Sequence, residues 1–349
     1  MRRRDFIRTC AGAVPGLGRA TCALAAEVRS GGGQCGTAFV WQVRPQSGPD
    51  MPALNGHTDT ILDIVGRLGS RIDLAIFTEG NHFPALLGGG VIDRFRTWAR
   101  SQPNDAALPL DNIVVVTLPQ PMIVAMLSGH GISFGNLTLD VDRTGGFYPD
   151  IVMAGAAPLK TLHRMSILET EARVFARNRG PALVIAAGNP RGLNRLDDIA
   201  REDIHIVMAS ESEPGARNQY VSSLQGLLGN QRTQAVLARE TVTFPGRLGI
   251  QHRDIPQAIA AGHADVGIIF HHLAQYYAVA YPQICGMIAV PGAARYSSTI
   301  ALARVVDPLR APAAEAFSRF FFEIARDLYP RHGFAMMSAD EFGERVELG

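Results

Sequence analysis

The sequence predicts an α/β protein of two lobes, each a mostly parallel sheet flanked by helices. Short buried apolar runs alternate with segments of helical periodicity along most of the chain, which is the pattern of βαβ units. The 349 residues suffice for about two domains of ~150 residues, and 47% of them are hydrophobic. Charged residues make up only 19%. A disordered or collagen-like chain is therefore excluded.

The positive charge of the chain is concentrated at its start. Residues 1–26 contain five arginines and one acid, and the remaining residues carry 28 basic and 31 acidic side chains, a net charge of −3. A body of this charge gives no electrostatic reason to bind nucleic acid. Lys160 is the only lysine, and no Gly-rich GK[ST] sequence occurs. A Walker-type phosphate loop is therefore excluded.

Residues 1–26 resemble a twin-arginine export signal. Arginines 2–4 precede a mildly apolar stretch, and residues 23–26 offer an A-x-A-type cleavage site. A disordered basic tail is the alternative interpretation. No run reaches 18 apolar residues, so no membrane span is predicted. We expect a mature protein that works outside the cytoplasm, in the periplasm.

The four cysteines leave two questions open. Cys22 follows a poor lipoprotein sequence, so a lipid anchor there remains an alternative. Cleavage would leave Cys35 and Cys285, and an oxidising compartment permits a disulfide between them, although the sequence does not place them together. No C-x-x-C or H-E-x-x-H sequence occurs, so a structural zinc site is unsupported.

The predicted elements follow one another in the order of two lobes. Residues 27–70 form a linker and a helix over 58–68, residues 71–175 with 300–349 form lobe 1, and residues 176–299 form lobe 2. Lobe 1 has strands over 72–77, 112–117 and 149–154, and helices over 84–101, 122–127 and 158–168. Glycines 88–90 weaken the first of these helices.

Two crossing segments join the lobes. The extended stretch 172–189 leads into lobe 2, and a second crossing near 290–303 leads back. Lobe 2 has strands over 204–209, 266–270 and 287–290, and helices from about 213, over 255–261 and over 273–281. A strand over 298–303 and a helix over 313–329, with a phenylalanine-rich apolar stripe, complete lobe 1.

Candidate ligand-binding residues lie where strands lead into helices. Open α/β sheets bind ligands beyond the carboxyl ends of their strands, where helix N-termini attract anions. Ordinary turn and capping roles remain the alternative for each residue. Because neighbours in a strand alternate, at most one histidine of the 271–272 pair faces the cleft. The candidates are hydrogen-bond donors, one small residue and one arginine: Thr78, Asn81, His82, Gln120, Gly155, Ser210, Ser212, Arg217 and His271.

Several segments resemble periplasmic solute-binding proteins of the type 2 class, and most closely their molybdate- and tungstate-binding branch. The stretch 177–190 resembles the crossover strand of that family, and 192–200 resembles its I-x-x-L-x-D-L-A helix. Residues 210–220 are similar to the ligand loop before its P-x-G-x-Y helix. Residues 259–270 match its A-x-G-x-A-D-x-G-I-x-Y strand, and 329–334 resemble its closing G-F element.

The resemblance implies a monomeric receptor that closes by a hinge on a small oxyanion, first of all molybdate or tungstate. It implies delivery to an ABC permease, and neither a cofactor nor catalysis. A divalent metal or its chelate is the alternative ligand, suggested by Glu79, His82 and His271. A periplasmic sensor or an enzyme on the same fold is the alternative class, although no G-x-S-x-G, Cys–His or G-x-G-x-x-G motif occurs.

Overall fold

The computed structural model describes residues 63–349 apart from 106, 131, 135, 136, 140, 142, 144–146 and 245–248. The expected export signal over 1–26, Cys22, Cys35 and most of the linker lie outside the described residues. Within the described part, no helix is long and apolar enough to cross a bilayer.

The strands belong to one large sheet, one smaller sheet and one hairpin. They are β1 (Asp63–Val65), β2 (Leu74–Glu79), β3 (Ile113–Leu118), β4 (Ile132–Phe134), β5 (Leu137–Leu139), β6 (Ile151–Ala154), β7 (Leu168–Arg177), β8 (Pro181–Ala186), β9 (Ile206–Met208), β10 (Val266–Phe270), β11 (Cys285–Ala289), β12 (Thr299–Val305) and β13 (Arg345–Glu347).

The helices flank these sheets. They are α1 (Phe83–Leu86), α2 (Val91–Ser101), α3 (Gln120–Ala125), α4 (Ala156–Arg164), α5 (Pro214–Leu228), α6 (Asn230–Leu237), α7 (Asp254–Ala260), α8 (His271–Ala280) and α9 (Ala311–Arg331). Short 3-10 helices lie at Gly80–His82, Leu196–Ala200 and Ala293–Tyr296, and a π-helical turn lies at Met126–His130.

Lobe 1 is built on the large sheet, whose strand order is β1-β3-β2-β6-β12-β7-β13. Its central strands are buried on both faces. Leu74 and Ile76 of β2 belong to one apolar cluster, whereas Phe77 belongs to a second cluster on the other side. The aromatic stripe predicted for the last helix packs into the first cluster, with Phe317 and Phe321 of α9 fully buried.

Lobe 2 is built on the four-stranded sheet β11-β8-β10-β9. The chain passes from the large sheet to the small one between β7 and β8, and it returns between β11 and β12. Both passages coincide with the crossing segments inferred from the sequence.

The α/β class is confirmed, but the sheets are mixed rather than mostly parallel. Among the described strands, β2 pairs in parallel with its neighbours β3 and β6, and β9 pairs in parallel with β10. The other pairs are antiparallel. The reason is that β12 enters lobe 1 from lobe 2, and β8 enters lobe 2 from lobe 1, so each runs opposite to the strands that end at the cleft.

Two local predictions are wrong. The helix expected over 58–68 is a strand from Asp63 onward, because β1 pairs antiparallel with β3 at the edge of the large sheet. His271 and His272 begin α8 instead of ending a strand. The helix expected over 84–101 is interrupted as its glycines suggested: α1 ends at Leu86, and Gly90 takes a positive φ before α2 begins.

Candidate functional site

A cleft with a volume of ≈ 740 Å³ lies between the two lobes. The carboxyl ends of the parallel strands β2, β3 and β6 form its wall on lobe 1. The starts of α5, α7 and α8 form its wall on lobe 2, and the crossing segments at 177–178 and 297–300 close one end. The cleft therefore lies where open α/β sheets bind ligands.

Glu79 is the central polar residue of the lobe 1 wall. It ends β2 and is only 4% exposed. The side-chain amide of Gln120 donates a hydrogen bond to its carboxylate, and the Asn81 side chain and the Gly155 N–H also donate to it. Gly155 allows this arrangement because a Cβ at this position would lie 3.3 Å from Gln120 Nε2. Three junctions thus converge on one carboxyl group.

The environment of Glu79 disfavours its negative charge. Burial, and secondarily the negative charge of Glu213, raise the pKa of Glu79 to about 8, and the hydrogen bonds from Asn81 and Gly155 only partly oppose this. At neutral pH the carboxyl group of Glu79 is therefore mostly protonated and can donate a hydrogen bond.

Glu213 is the matching carboxylate of the lobe 2 wall, and it stands at the N-cap of α5. Its Oε2 contacts Nδ1 of His252. The Phe270 N–H donates to the Tyr220 hydroxyl at 3.0 Å, and that hydroxyl lies 2.6 Å from His252 Nε2. The Tyr220 hydroxyl and the Glu213 carboxyl group therefore contact the two ring nitrogens of His252 from opposite sides.

The helices α4 and α5 open their first turns into the cleft from opposite lobes. Ala156 and Ala157 of α4, with Gly155 just before them, line it on lobe 1, and Gly215 and Ala216 of α5 line it on lobe 2. Neither helix has a side-chain cap. First-turn N–H groups without a cap, together with the helix dipole, favour negative charge at such a place.

The arginines on the cleft wall are paired with carboxylates. Arg253 reaches from lobe 2 to lobe 1, where its guanidinium donates to Asp63 at 2.6 Å and to Thr117 at 3.2 Å. The same guanidinium lies 4.9 Å from the ring centre of Phe83. Arg177 donates to Glu341 at 2.7 Å. The positive charges of both arginines are thus already balanced in part.

Asn81, Gln120 and Gly155 are the predicted site residues that line the cleft. Thr78 and His82 lie behind the wall instead, fully buried. The Thr78 hydroxyl bonds to His82 Nε2, while His82 Nδ1 lies 2.7 Å from the Tyr329 hydroxyl. Both side chains therefore make their hydrogen bonds inside lobe 1.

The other predicted site residues have structural partners away from the cleft wall. The Ser210 hydroxyl accepts the Ile250 N–H at 3.0 Å and lies 3.0 Å from the Ser212 hydroxyl. Arg217 forms a two-bond ion pair with Glu240 at 2.7 and 2.9 Å. His271 Nδ1 lies 3.3 Å from the Gly333 carbonyl oxygen.

The suggested metal ligands do not come together. His82 is engaged with Thr78 and Tyr329, His271 lies off the cleft wall, and only Glu79 of the three faces the cavity. Among the described residues, no cluster of three or more His, Cys, Asp or Glu side chains is placed to hold a metal ion.

Residue patterns did not single out Glu213, His252 or Arg253 as cleft residues, although all three line it, and of the histidine pair His272 lines the cleft instead of the candidate His271. His272 Nε2 donates to the Asn81 carbonyl at 2.9 Å and so links the two walls. A signal existed for Glu213, since it directly precedes the proline of a predicted helix start. None existed for His252 and Arg253, which follow a segment with no clear periodicity.

Comparison with known proteins places the chain among binding proteins. The model of a family described as bacterial extracellular solute-binding protein matches residues 131–335, more than half of the chain. A comparison with curated protein sequences finds no match.

Solved structures share the fold at low sequence identity. The sulfate-binding protein SubI from Mycobacterium tuberculosis is 17% identical, with a TM-score of 0.54, over 76% of this chain and 87% of that protein. The periplasmic molybdate-binding protein of Azotobacter vinelandii is 14% identical, with a TM-score of 0.51, over 76% and 100%. The ferric binding protein of Campylobacter jejuni is 15% identical, with a TM-score of 0.50, over 78% and 89%. These likenesses confirm the two-lobe type 2 fold.

Proposed function

Given that the chain belongs to the family of bacterial extracellular solute-binding proteins, we propose that it captures a small oxyanion between its lobes and delivers it to an ABC importer in the membrane. Molybdate and tungstate are the first ligands to test, and sulfate is the next. The proposal extends the family assignment to a ligand class, and the chemistry of the cleft supports it.

The observation that carries the proposal is the pair of uncapped helix starts facing the cleft from opposite lobes. The first turns of α4 and α5 present backbone N–H groups and the positive ends of two dipoles to the same cavity. A tetrahedral dianion can accept hydrogen bonds from both lobes at once. Binding of this kind favours closure because the donors of one lobe alone leave part of the anion unsatisfied.

The neutral donors beside these helices fit the same ligand. Asn81 and Gln120, which also donate to Glu79, line lobe 1, and Gln219 and Ser298, which are hydrogen-bonded to each other, line the lobe 2 side and the crossing segment. Such groups hold an anion without adding a full positive charge. Arg177 and Arg253 are paired with carboxylates. This fits a mode of binding in which hydrogen bonds, and not a cationic side chain, hold the ligand.

The two connections between lobes allow a hinge motion. The chain crosses at 178–180 and at 290–298, and both passages are short relative to the lobes they join. Rotation about two such connections changes the width of the cleft while each sheet stays intact. We propose that the protein acts as a monomer in the periplasm after export by its twin-arginine-like signal.

The first test is a thermal-unfolding screen of the purified mature protein with molybdate, tungstate, sulfate, phosphate, and divalent and ferric ions. A ligand at 100 times its dissociation constant adds about 2.7 kcal/mol to the free energy of unfolding. The proposal predicts stabilisation by at least one tetrahedral oxyanion. Stabilisation by metal ions alone would contradict it.

A backbone variant tests the helix start itself. Ala156→Pro removes one N–H from the first turn of α4, at a position where proline is tolerated and after an extended Gly155. Loss of one hydrogen bond to a charged ligand costs about 1.5–3 kcal/mol, or roughly 10- to 100-fold in affinity. Asn230→Pro, at the first position of the exposed start of α6, is the matched control and should bind as wild type.

A further inference from the structure

An oxyanion site that contains one buried and one partly buried carboxyl group poses an electrostatic problem. Glu79 on lobe 1 and Glu213 on lobe 2 both line the cleft. A closing cleft removes water from both groups and brings a dianion beside them. Two ionised carboxylates would then repel the ligand and each other in a medium of low dielectric constant.

The partners of the two groups differ, and this difference decides which one is neutral. Glu213 contacts Nδ1 of His252, so its carboxyl group lies beside a side chain that can balance a negative charge. Among the residues that the structure describes, the donors to Glu79 are the amides of Gln120, Asn81 and Gly155, and no cationic side chain bonds to it. It is also the more buried of the two, since its whole residue is only 4% exposed.

We propose that Glu79 binds the oxyanion as a neutral carboxylic acid that donates its proton to a ligand oxygen, so that capture takes up a proton whenever Glu79 begins ionised. This inference rests on the proposed oxyanion-binding function. It makes Glu79 a ligand-contacting residue and ties affinity to pH. No bond other than the O–H···O hydrogen bond to the ligand is formed.

The titratable neighbours of Glu79 do not add to the expected pH dependence of ligand affinity. Burial lowers the pKa of His82 to about 3 and the pKa of His272 well below its usual range. Burial also raises the pKa values of Tyr220 on α5 and Tyr329 on α9. None of these four side chains changes charge between pH 7 and the pKa of Glu79 at about 8.

The remaining charged neighbours come from the lobe 2 wall. Glu213 raises the pKa of Glu79, and His252 contacts Glu213. The pKa of Arg253 is raised by its hydrogen bonds to Asp63, against burial that lowers it, so its guanidinium stays charged. A pH range above 7 therefore reports chiefly on Glu79.

The test uses calorimetric titration of the mature protein with sulfate and with molybdate, which remain dianions throughout the range from pH 7.0 to 9.5. With a Glu79 pKa of about 8, wild-type affinity should fall about 30-fold between these two pH values. Titrations at pH 8 in two buffers of different ionisation enthalpy should show uptake of about half a proton per ligand bound.

At pH 7.0 the Glu79→Gln protein should bind the oxyanion with an affinity within about threefold of wild type, since its amide still donates a hydrogen bond. Its affinity should not fall as the pH rises. Glu211→Gln is the matched control, because Glu211 lies in the loop before α5, outside the cleft wall, with a 79% exposed side chain paired to Arg217. This control should keep the wild-type pH dependence.

Three results would each overturn the inference while the oxyanion function stands. They are a wild-type affinity that does not change with pH, binding without proton uptake, and loss of binding at pH 7.0 in a folded Glu79→Gln protein. If no oxyanion binds the wild type at pH 7.0, the proposed function itself fails. Should Glu79→Gln not fold, the proton count on the wild type still decides between the two outcomes.

Discussion

At the scale of single residues, side-chain alternation decides which of the predicted donors reach the cleft. Thr78 shares a face of β2 with Leu74 and Ile76, so its hydroxyl points into the interior of lobe 1. Gly80 and Asn81, just beyond the strand, reach the rim of the cleft. Sequence reasoning found the right junction there, but it could not tell which of five consecutive residues faced outward.

The lobe 2 wall was harder to predict at this scale because its residues come from turns. The hydroxyls of Ser210 and Ser212 bond to each other, and that of Ser210 also accepts the Ile250 N–H, whereas Glu213, three residues after Ser210, occupies the wall. A donor-rich loop looks the same in sequence whether its hydroxyls face a ligand or each other. Only the folded geometry separates the two cases.

Asn81→Ala should therefore weaken oxyanion binding, while Ser212→Ala should not. Asn81 lines the cleft and supports Glu79, and loss of this donor costs about 1–3 kcal/mol, or roughly 5- to 150-fold in affinity. Ser212 is a matched control of similar polarity outside the wall. Isothermal titration of both variants with the same oxyanion measures the difference. Equal affinities for the two variants would remove Asn81 from the site.

At the scale of elements, the sequence predicted the long strands and helices because their apolar patterns are local. The strands β2, β3 and β10 and the helices α8 and α9 lie close to their expected positions. The strands β1 and β13 were missed because each has only three residues, and each is stabilised by pairing with a distant segment. Periodicity over three residues carries no such information.

The first crossing segment depends on a glycine between β7 and β8. Gly180 has φ +74°, and a Cβ there would lie 2.1 Å from the carbonyl oxygen of Ala293 in the second crossing. The two connections therefore pack against each other through backbone. Only a residue without a side chain allows this approach and this conformation.

Gly180→Ala should lower the free energy of unfolding by more than about 2 kcal/mol. This is the cost of holding an alanine in a left-handed conformation, together with the cost of the steric clash of its Cβ. Gly192→Ala is the matched control, because Gly192 has φ +62° but no atom within 4 Å of the added Cβ. It should cost only about 1–2 kcal/mol. Denaturant unfolding of both variants gives the comparison. If both lose the same free energy, the crossing segments do not depend on this close contact.

At the scale of the whole molecule, a second contact joins the lobes opposite the crossing segments. Arg253 precedes α7 of lobe 2, yet its guanidinium pairs with Asp63 on the edge strand of lobe 1 and lies against Phe83. Tyr276 of α8 adds an edge contact with Phe83 at 5.0 Å. These groups join the lobes on the side away from the hinge.

Asp63→Asn should shift the ligand-free protein toward an open form, since it removes the carboxylate that pairs with Arg253. Small-angle scattering should show a larger radius of gyration without ligand, and oxyanion affinity should fall about tenfold, the equivalent of ~1.4 kcal/mol. Asp105→Asn breaks the Arg319 pair within lobe 1 and is the matched control. An unchanged radius and affinity in Asp63→Asn would show that this pair does not hold the lobes together.

The central claim, capture of an oxyanion between α4 and α5, is tested most directly by crystals grown with tungstate and measured at a tungsten absorption edge. We expect one strong anomalous peak in the cleft, within hydrogen-bonding distance of the first-turn N–H groups at 156–157 and 215–216 and beside Glu79. A peak found only at surface arginines, or no peak in a protein that binds tungstate in solution, would contradict it.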